Sequence, residues 1–181
     1  MDPLDFHFKH PTTIQVSGPT RYGKTLLLRQ IIKEQLIQPF ATCIIWVFSE
    51  WQPDYDMIRE KYPGIEFEKA WRDEIFDSLS HEQRNILVLD DQRGVVYSSS
   101  SVADLFTRGS HHTNLTLIYL RQNVYNHGQS KWTISLNSHY SVVFRNESDA
   151  SQFCTMAYQI CPNNSKWLID SFTNAACKPY G

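Results

Sequence analysis

The residues best able to do chemistry stand together near the amino terminus. Gly18, Pro19, Thr20, Arg21, Tyr22, Gly23, Lys24 and Thr25 spell the pattern G-x-x-x-x-G-K-[ST]. In this pattern the glycines let the backbone bend until successive N–H groups face one concavity, and the helix that follows adds partial positive charge at its first turn. Such a cradle takes phosphates. A lysine at the position of Lys24 reaches the β- and γ-phosphates, and a hydroxyl at the position of Thr25 binds Mg²⁺. The expected cofactors are therefore ATP and Mg²⁺. Two residues are unusual. Arg21 and Tyr22 stand where small side chains are more common; Arg21 either adds a phosphate contact or points to solvent, and the bulk of Tyr22 would crowd the loop.

A second constellation follows an apolar run. Ile86, Leu87, Val88 and Leu89 lead into Asp90 and Asp91. The carboxyl end of a parallel strand is where α/β sites form. Asp90 there would hold Mg²⁺ directly or through water. Asp91, one residue further, is placed for a general base or a water-orienting carboxylate. Alone, a strand ending in two acids simply meets solvent; paired with the cradle it reads as a site. The adjacent second acid is the pattern of ATPases that insert an additional strand between the cradle strand and the metal strand, and residues 115–120 are the candidate for it. That run continues into Arg121, Gln122 and Asn123. Gln122 is placed either to sense the γ-phosphate and orient the attacking water, or merely to cap a loop. Arg108 is either an arginine finger for a neighbouring subunit's site or a surface arginine. His111 and His112 suggest a metal at first sight, but adjacent histidines point apart and no third ligand accompanies them.

These residues need a scaffold to bring them together. Residues 12–16, 42–48, 85–89, 115–120 and 139–144 read as strands, with 65–67 as a short edge strand. Apolar residues at three-to-four spacing predict a helix over 24–37, ended by Pro39. Further helices are expected over 54–61, 73–79, 101–108 and 149–159. Strands separated by helices require crossover connections, hence a parallel sheet with helices on both faces. The expected fold is α/β: a P-loop NTPase, a three-layer αβα sandwich with a mainly parallel central sheet of the additional-strand, RecA/FtsK-like type.

The totals agree. A chain of 181 residues fits one domain, read as residues 1–181. Hydrophobic residues at 41% and charged residues at 20% exclude a disordered chain. The net charge of −2 excludes a surface basic throughout, so contact with nucleic acid would be local. The apolar runs are too short to cross a bilayer, and the first residues lack the basic start and apolar stretch of a signal peptide. Cys43, Cys154, Cys161 and Cys177 form no CxxC pair and read as free thiols of an intracellular protein.

The order of these blocks, together with Ser17, the Ile44-Ile45-Trp46 run and the stretch Arg108-Gly109-Ser110-His111-His112-Thr113-Asn114-Leu115, resembles the FtsK/HerA-type DNA-packaging ATPases. The group it is most similar to is that of poxviruses, Maverick/Polinton-like and adintovirus-like elements. The resemblance spans roughly residues 8–150. It implies an ATP-driven homo-oligomeric ring, a hexamer, that moves double-stranded DNA into a capsid, working with capsid proteins in a viral factory, host cytoplasm or nucleus. Lys24 and Thr25 would then bind ATP and magnesium, Asp90 the metal, Asp91 the water and Gln122 the γ-phosphate. Relatives often carry Gly-Arg-His before the additional strand, so the arginine here is displaced to Arg108. Relatives also continue beyond the equivalent of Gly181 into another strand, so a shortened copy is expected. Two other classes stay open: a nucleotide-binding interaction domain without turnover, and a P-loop kinase, against which Asp91 and Gln122 argue.

Overall fold

The continuous apolar runs become the centre of a parallel sheet. The computed structural model describes residues 6–92, 102, 105–106, 114–123, 137–146 and 150–177. In chain order the elements are β1 (Phe8–Lys9), β2 (Thr13–Ser17), α1 (Lys24–Lys33), β3 (Ile37–Gln38), β4 (Cys43–Phe48), α2 (Pro53–Lys61), β5 (Ile65–Lys69), α3 (Asp73–Asp77), β6 (Asn85–Asp90), β7 (Leu115–Arg121), β8 (Tyr140–Val143), α4 (Ala150–Ile160) and α5 (Ser165–Ala175). Six strands form one sheet in the order β5-β4-β6-β7-β2-β8, and every neighbouring pair is parallel. β7 lies between β2 and β6, so the additional strand stands where the paired acids placed it. Every residue of β2, β6 and β7 is buried, as expected for strands covered on both faces.

Alternation along the strands divides the core into two layers. Ile14, Val16, Trp46, Phe48, Ile86, Val88, Ile118 and Leu120 face one way and pack on Leu28, Ile31 and Ile32 of α1 and Tyr55 and Ile58 of α2. Ile45, Val47, Leu87, Leu89, Leu115, Leu117 and Tyr119 face the other way and pack on Trp71, Ile75, Leu79, Val102, Leu105 and Phe106. The sheet with helices on both sides is the three-layer α/β architecture of P-loop NTPases. A satellite cluster joins Val143 at the β8 edge to Phe153 and Met156 of α4 and Leu168, Ile169 and Phe172 of α5.

Several boundaries differ from the sequence expectation. The helix expected over 24–37 stops at Lys33. Gln35 takes the left-handed conformation, φ 50°, and the Gln35 and Leu36 amides fold back onto the Ile32 and Ile31 carbonyls at 3.3 and 3.0 Å. This is how helices commonly end. Ile37 then enters β3, a two-residue strand paired with β1 that the sequence did not announce. Leu36 and Ile37 keep helical spacing, so periodicity runs straight through the break. The edge strand expected over 65–67 extends to Lys69, and the helix expected over 73–79 ends at Asp77 with Leu79 still buried. Helix α5 was not foreseen, although Leu168, Ile169, Phe172 and Ala176 carry helical spacing after Asn164. Of the helix expected over 101–108, Val102, Leu105 and Phe106 are described and buried; Arg108, like His111 and His112, lies outside the described residues.

A non-glycine residue at φ 50° carries a steric cost that glycine avoids. Gln35→Gly should therefore stabilise the protein by about 1 kcal/mol, raising Tm by roughly 2–4 °C in thermal denaturation.

Candidate functional site

The register of the ladders sets the site. Ser17 at the end of β2 pairs with Arg121 at the end of β7, and Asp90 at the end of β6 pairs with Leu120. The three strands therefore release their loops at one level. A cleft of about 730 Å³ opens above them, bounded by Thr20, Arg21, Gly23, Lys24, Thr25, Leu26 and Arg29 on one side, Glu50, Gln52 and Asp54 on another, and Asp90, Asp91, Arg121 and Gln122 along the floor.

The cradle is shaped by its backbone. The Gly18 amide donates to the Arg121 carbonyl at 3.2 Å, continuing the sheet past β2, and the Tyr22 amide turns back to the Pro19 carbonyl at 3.4 Å. Gly18 is required for space: a Cβ built there would lie 2.5 Å from Cβ of Phe144, which follows β8. Gly23 is required for conformation, with φ 96° at the N-cap of α1. No side chain caps α1 and no acid stands in its first turn, which leaves its positive end and leading N–H groups to an anion. Lys24 Nζ donates to the Gly18 and Pro19 carbonyls at 2.7 and 2.8 Å, folding the ammonium into the loop. Arg21 lines the cleft with φ 67°, a region that favours glycine. Tyr22 does not crowd the loop as expected: its side chain lies at the surface, 51% exposed.

The acidic side is more deeply built. Asp90 is 5% exposed, and its Oδ2 accepts a 2.6 Å hydrogen bond from the hydroxyl of Tyr55, itself fully buried. Burial pushes the Asp90 carboxyl above the ordinary value of 3.8; the Tyr55 hydroxyl and the Lys24 charge oppose that rise without cancelling it. Burial and the neighbouring carboxylate push the Tyr55 phenol up, so it remains a donor. Asp91 turns out of the strand at φ 51°. Its carboxylate Oδ2 accepts from Gln122 Nε2 at 3.3 Å, its carbonyl accepts from Ser49 Oγ at 2.8 Å, and its amide donates to the Leu120 carbonyl at 3.4 Å. Gln92 completes the support by donating to Ser49 Oγ and accepting from the Trp71 amide.

The structure thus brings Gly18, Pro19, Thr20, Arg21, Gly23, Lys24, Thr25, Asp90, Asp91 and Gln122 to one place. Tyr55, Glu50, Ser49, Gln92, Arg29 and Phe144 were missed. Their places depend on the sheet order, and no local pattern marks them. Thr25 and Asp90 offer hard oxygen donors, which suit Mg²⁺. Among the described residues no cluster of three or more His, Cys, Asp or Glu side chains could hold a metal unaided. The donor set fits a metal that also takes ligands from a bound nucleotide.

Two outcomes follow. The buried Asp90 binds a proton more tightly folded than unfolded, so it lowers stability as pH rises from 3.8 to its folded value, and the deficit persists above that window. Asp90→Asn should therefore raise the Tm of the ligand-free protein at neutral pH, with a gain that shrinks toward pH 4. Gly18→Ala should destabilise by roughly 1–3 kcal/mol in denaturant melts. Phe144→Ala should not relieve it, because the contact is with Cβ.

No protein-family model matches the sequence, and no curated protein sequence does either. Solved structures do share the fold. The genome packaging NTPase B204 from Sulfolobus turreted icosahedral virus 2, in complex with ATPγS, is similar over 83% of this chain and 86% of its own, at 13% identity and a TM-score of 0.54. The flagellar accessory protein FlaH from Methanocaldococcus jannaschii is similar over 78% of this chain and 76% of its own, at 12% identity and a TM-score of 0.53. The cytoplasmic domain of EssC is similar over 78% of this chain at 15% identity and a TM-score of 0.51; the match spans 33% of that longer chain.

Proposed function

We propose that this chain is an ATP-hydrolysing motor domain of the DNA-packaging or DNA-translocating type. The observation that carries the reading is β7 lying between β2 and β6, which sets Gln122 against Asp91 at 3.3 Å on the floor of a cleft whose other wall is the cradle. Kinases that transfer phosphate to a bound acceptor have no need of this second acid and its amide partner; an enzyme that must position water does.

In this reading the N–H groups between Thr20 and Thr25, that of Tyr22 apart, and the α1 terminus bind the phosphates, and Lys24 leaves the Gly18 and Pro19 carbonyls to neutralise charge on the β- and γ-phosphates. Thr25 and Asp90 would hold Mg²⁺, which supplies charge neutralisation across the phosphate oxygens when bound. Asp91 takes the proton from the attacking water, and Gln122 fixes that carboxylate and senses the γ-phosphate. Arg108 of a neighbouring copy would complete the site in a ring, a hexamer, acting on double-stranded DNA beside capsid proteins. The resemblance to viral packaging ATPases supports this, as does the shared fold with B204, a genome packaging NTPase.

A second reading has one specific observation behind it. Arg21, where small residues are more usual, holds a left-handed conformation inside the cradle where glycine would be unstrained, and this departure is what favours a nucleotide-binding domain without turnover.

Phosphate release from MgATP, measured across a protein-concentration series with and without duplex DNA, separates the two. Turnover should rise with concentration and DNA and fall at least about 10²-fold in Lys24→Ala. Asp91→Asn should lower kcat by about 10²–10⁴-fold while nucleotide binding persists. Tight binding without turnover at any concentration would select the second reading.

A further inference from the structure

Tyr55 has no place in the roles above, yet it makes a short side-chain hydrogen bond to the acid proposed to hold the metal. Its hydroxyl donates to Oδ2 of Asp90 at 2.6 Å, and both groups are buried. The ring cannot swing away. It is packed among Trp46, Phe48, Trp51 and Phe67, with centroid separations of 5.4, 5.8, 5.5 and 5.6 Å. α2, which carries it, begins at Pro53, and Gln52, Pro53 and Asp54 all line the cleft. A carboxylate in this setting has one oxygen committed to a fixed donor.

We propose that Tyr55 is a positioning residue for the metal: its phenol holds Oδ2 of Asp90, so that the carboxylate presents Mg²⁺ with a single oxygen in a single orientation. This rests on the reading of Asp90 as a metal ligand. The alternative is that Asp90 only satisfies a buried tyrosine. Single-oxygen coordination suits Mg²⁺, which takes one or two carboxylates with water and phosphate oxygens in strict octahedral geometry, whereas bidentate carboxylates suit larger ions such as Ca²⁺. Hydrogen-bond partners that orient a metal ligand characteristically change metal affinity by 10- to 100-fold when removed.

The test is binding of a fluorescent ADP analogue over a Mg²⁺ series, in wild type, Tyr55→Phe, Asp90→Asn and the double variant. Phenylalanine keeps the ring in its box and removes only the donor. The expected result is a rise of about 10-fold in the Mg²⁺ concentration at half-saturation in Tyr55→Phe. At saturating Mg²⁺ the nucleotide affinity should stay within about twofold of wild type, and Tyr55→Phe should add no further shift in the Asp90→Asn background. An unchanged Mg²⁺ midpoint in folded Tyr55→Phe overturns the proposal and leaves the nucleotide site standing. An equal shift in both backgrounds also overturns it, since Tyr55 would then act through packing. Failure of wild type to bind the analogue at any Mg²⁺ concentration overturns the proposal together with the reading it rests on. If Tyr55→Phe fails to fold, fluorotyrosine at position 55, a stronger donor of nearly the same shape, should move the midpoint in a Mg²⁺-dependent way only when Asp90 is present; no movement overturns the proposal.

Discussion

The hydrogen bonds at the two margins of β7 hold the site together. On one side the Gly18 amide reaches the Arg121 carbonyl, and on the other the Asp91 amide reaches the Leu120 carbonyl. Both bonds lie just past the ends of the strands they extend. The candidate phosphate cradle and the acidic pair are therefore splinted to the same strand, and their spacing is a property of the sheet, not of the loops. A strand rise is about 3.3 Å per residue, so a slip of one register position would separate the cradle from the acids by about the length of a hydrogen bond. It would also turn every buried side chain of β7 to the wrong face. The complete burial of β7 makes such a slip costly.

The two ends of the chemistry are stabilised differently. The cradle uses backbone geometry, with space at Gly18 and a left-handed turn at Gly23. The acids use burial, a phenol and an amide. Burial of Asp90 works against the folded state, and the aromatic box around Tyr55 offsets it by filling the adjacent core. Ionisable groups held in unfavourable surroundings are common at functional sites, where a ligand supplies the compensating charge.

Much of this was legible in the sequence, for identifiable reasons. The cradle is encoded by consecutive residues whose types leave little choice, so Lys24 and Thr25 could be named at once. Buried parallel strands show as unbroken apolar runs, which exposed β4, β6 and β7. The position of β7 inside the sheet was inferred from the adjacent acids Asp90 and Asp91, the pattern of ATPases that carry an additional strand. What remained hidden is long-range or local in a way period cannot show. Tyr55 lies 35 positions from Asp90 in the chain and reads there as one more buried helical residue. Gln35 ends α1 by a single backbone angle while the apolar spacing continues unbroken past it. β1 and β3 are too short to carry a pattern at all.

The outer margin of β5 has a consequence for whether the sheet can grow. Among the described residues β5 pairs only with β4, which leaves its other side a row of backbone donors and acceptors that no described strand covers. Glu66, Glu68 and Lys69 stand along it, and Glu68 is bound to Arg72 at 2.7 Å. Charge at an open strand discourages another strand from zipping on, because the incoming chain would have to strip water from it. This margin therefore resists the addition of a further strand to the sheet.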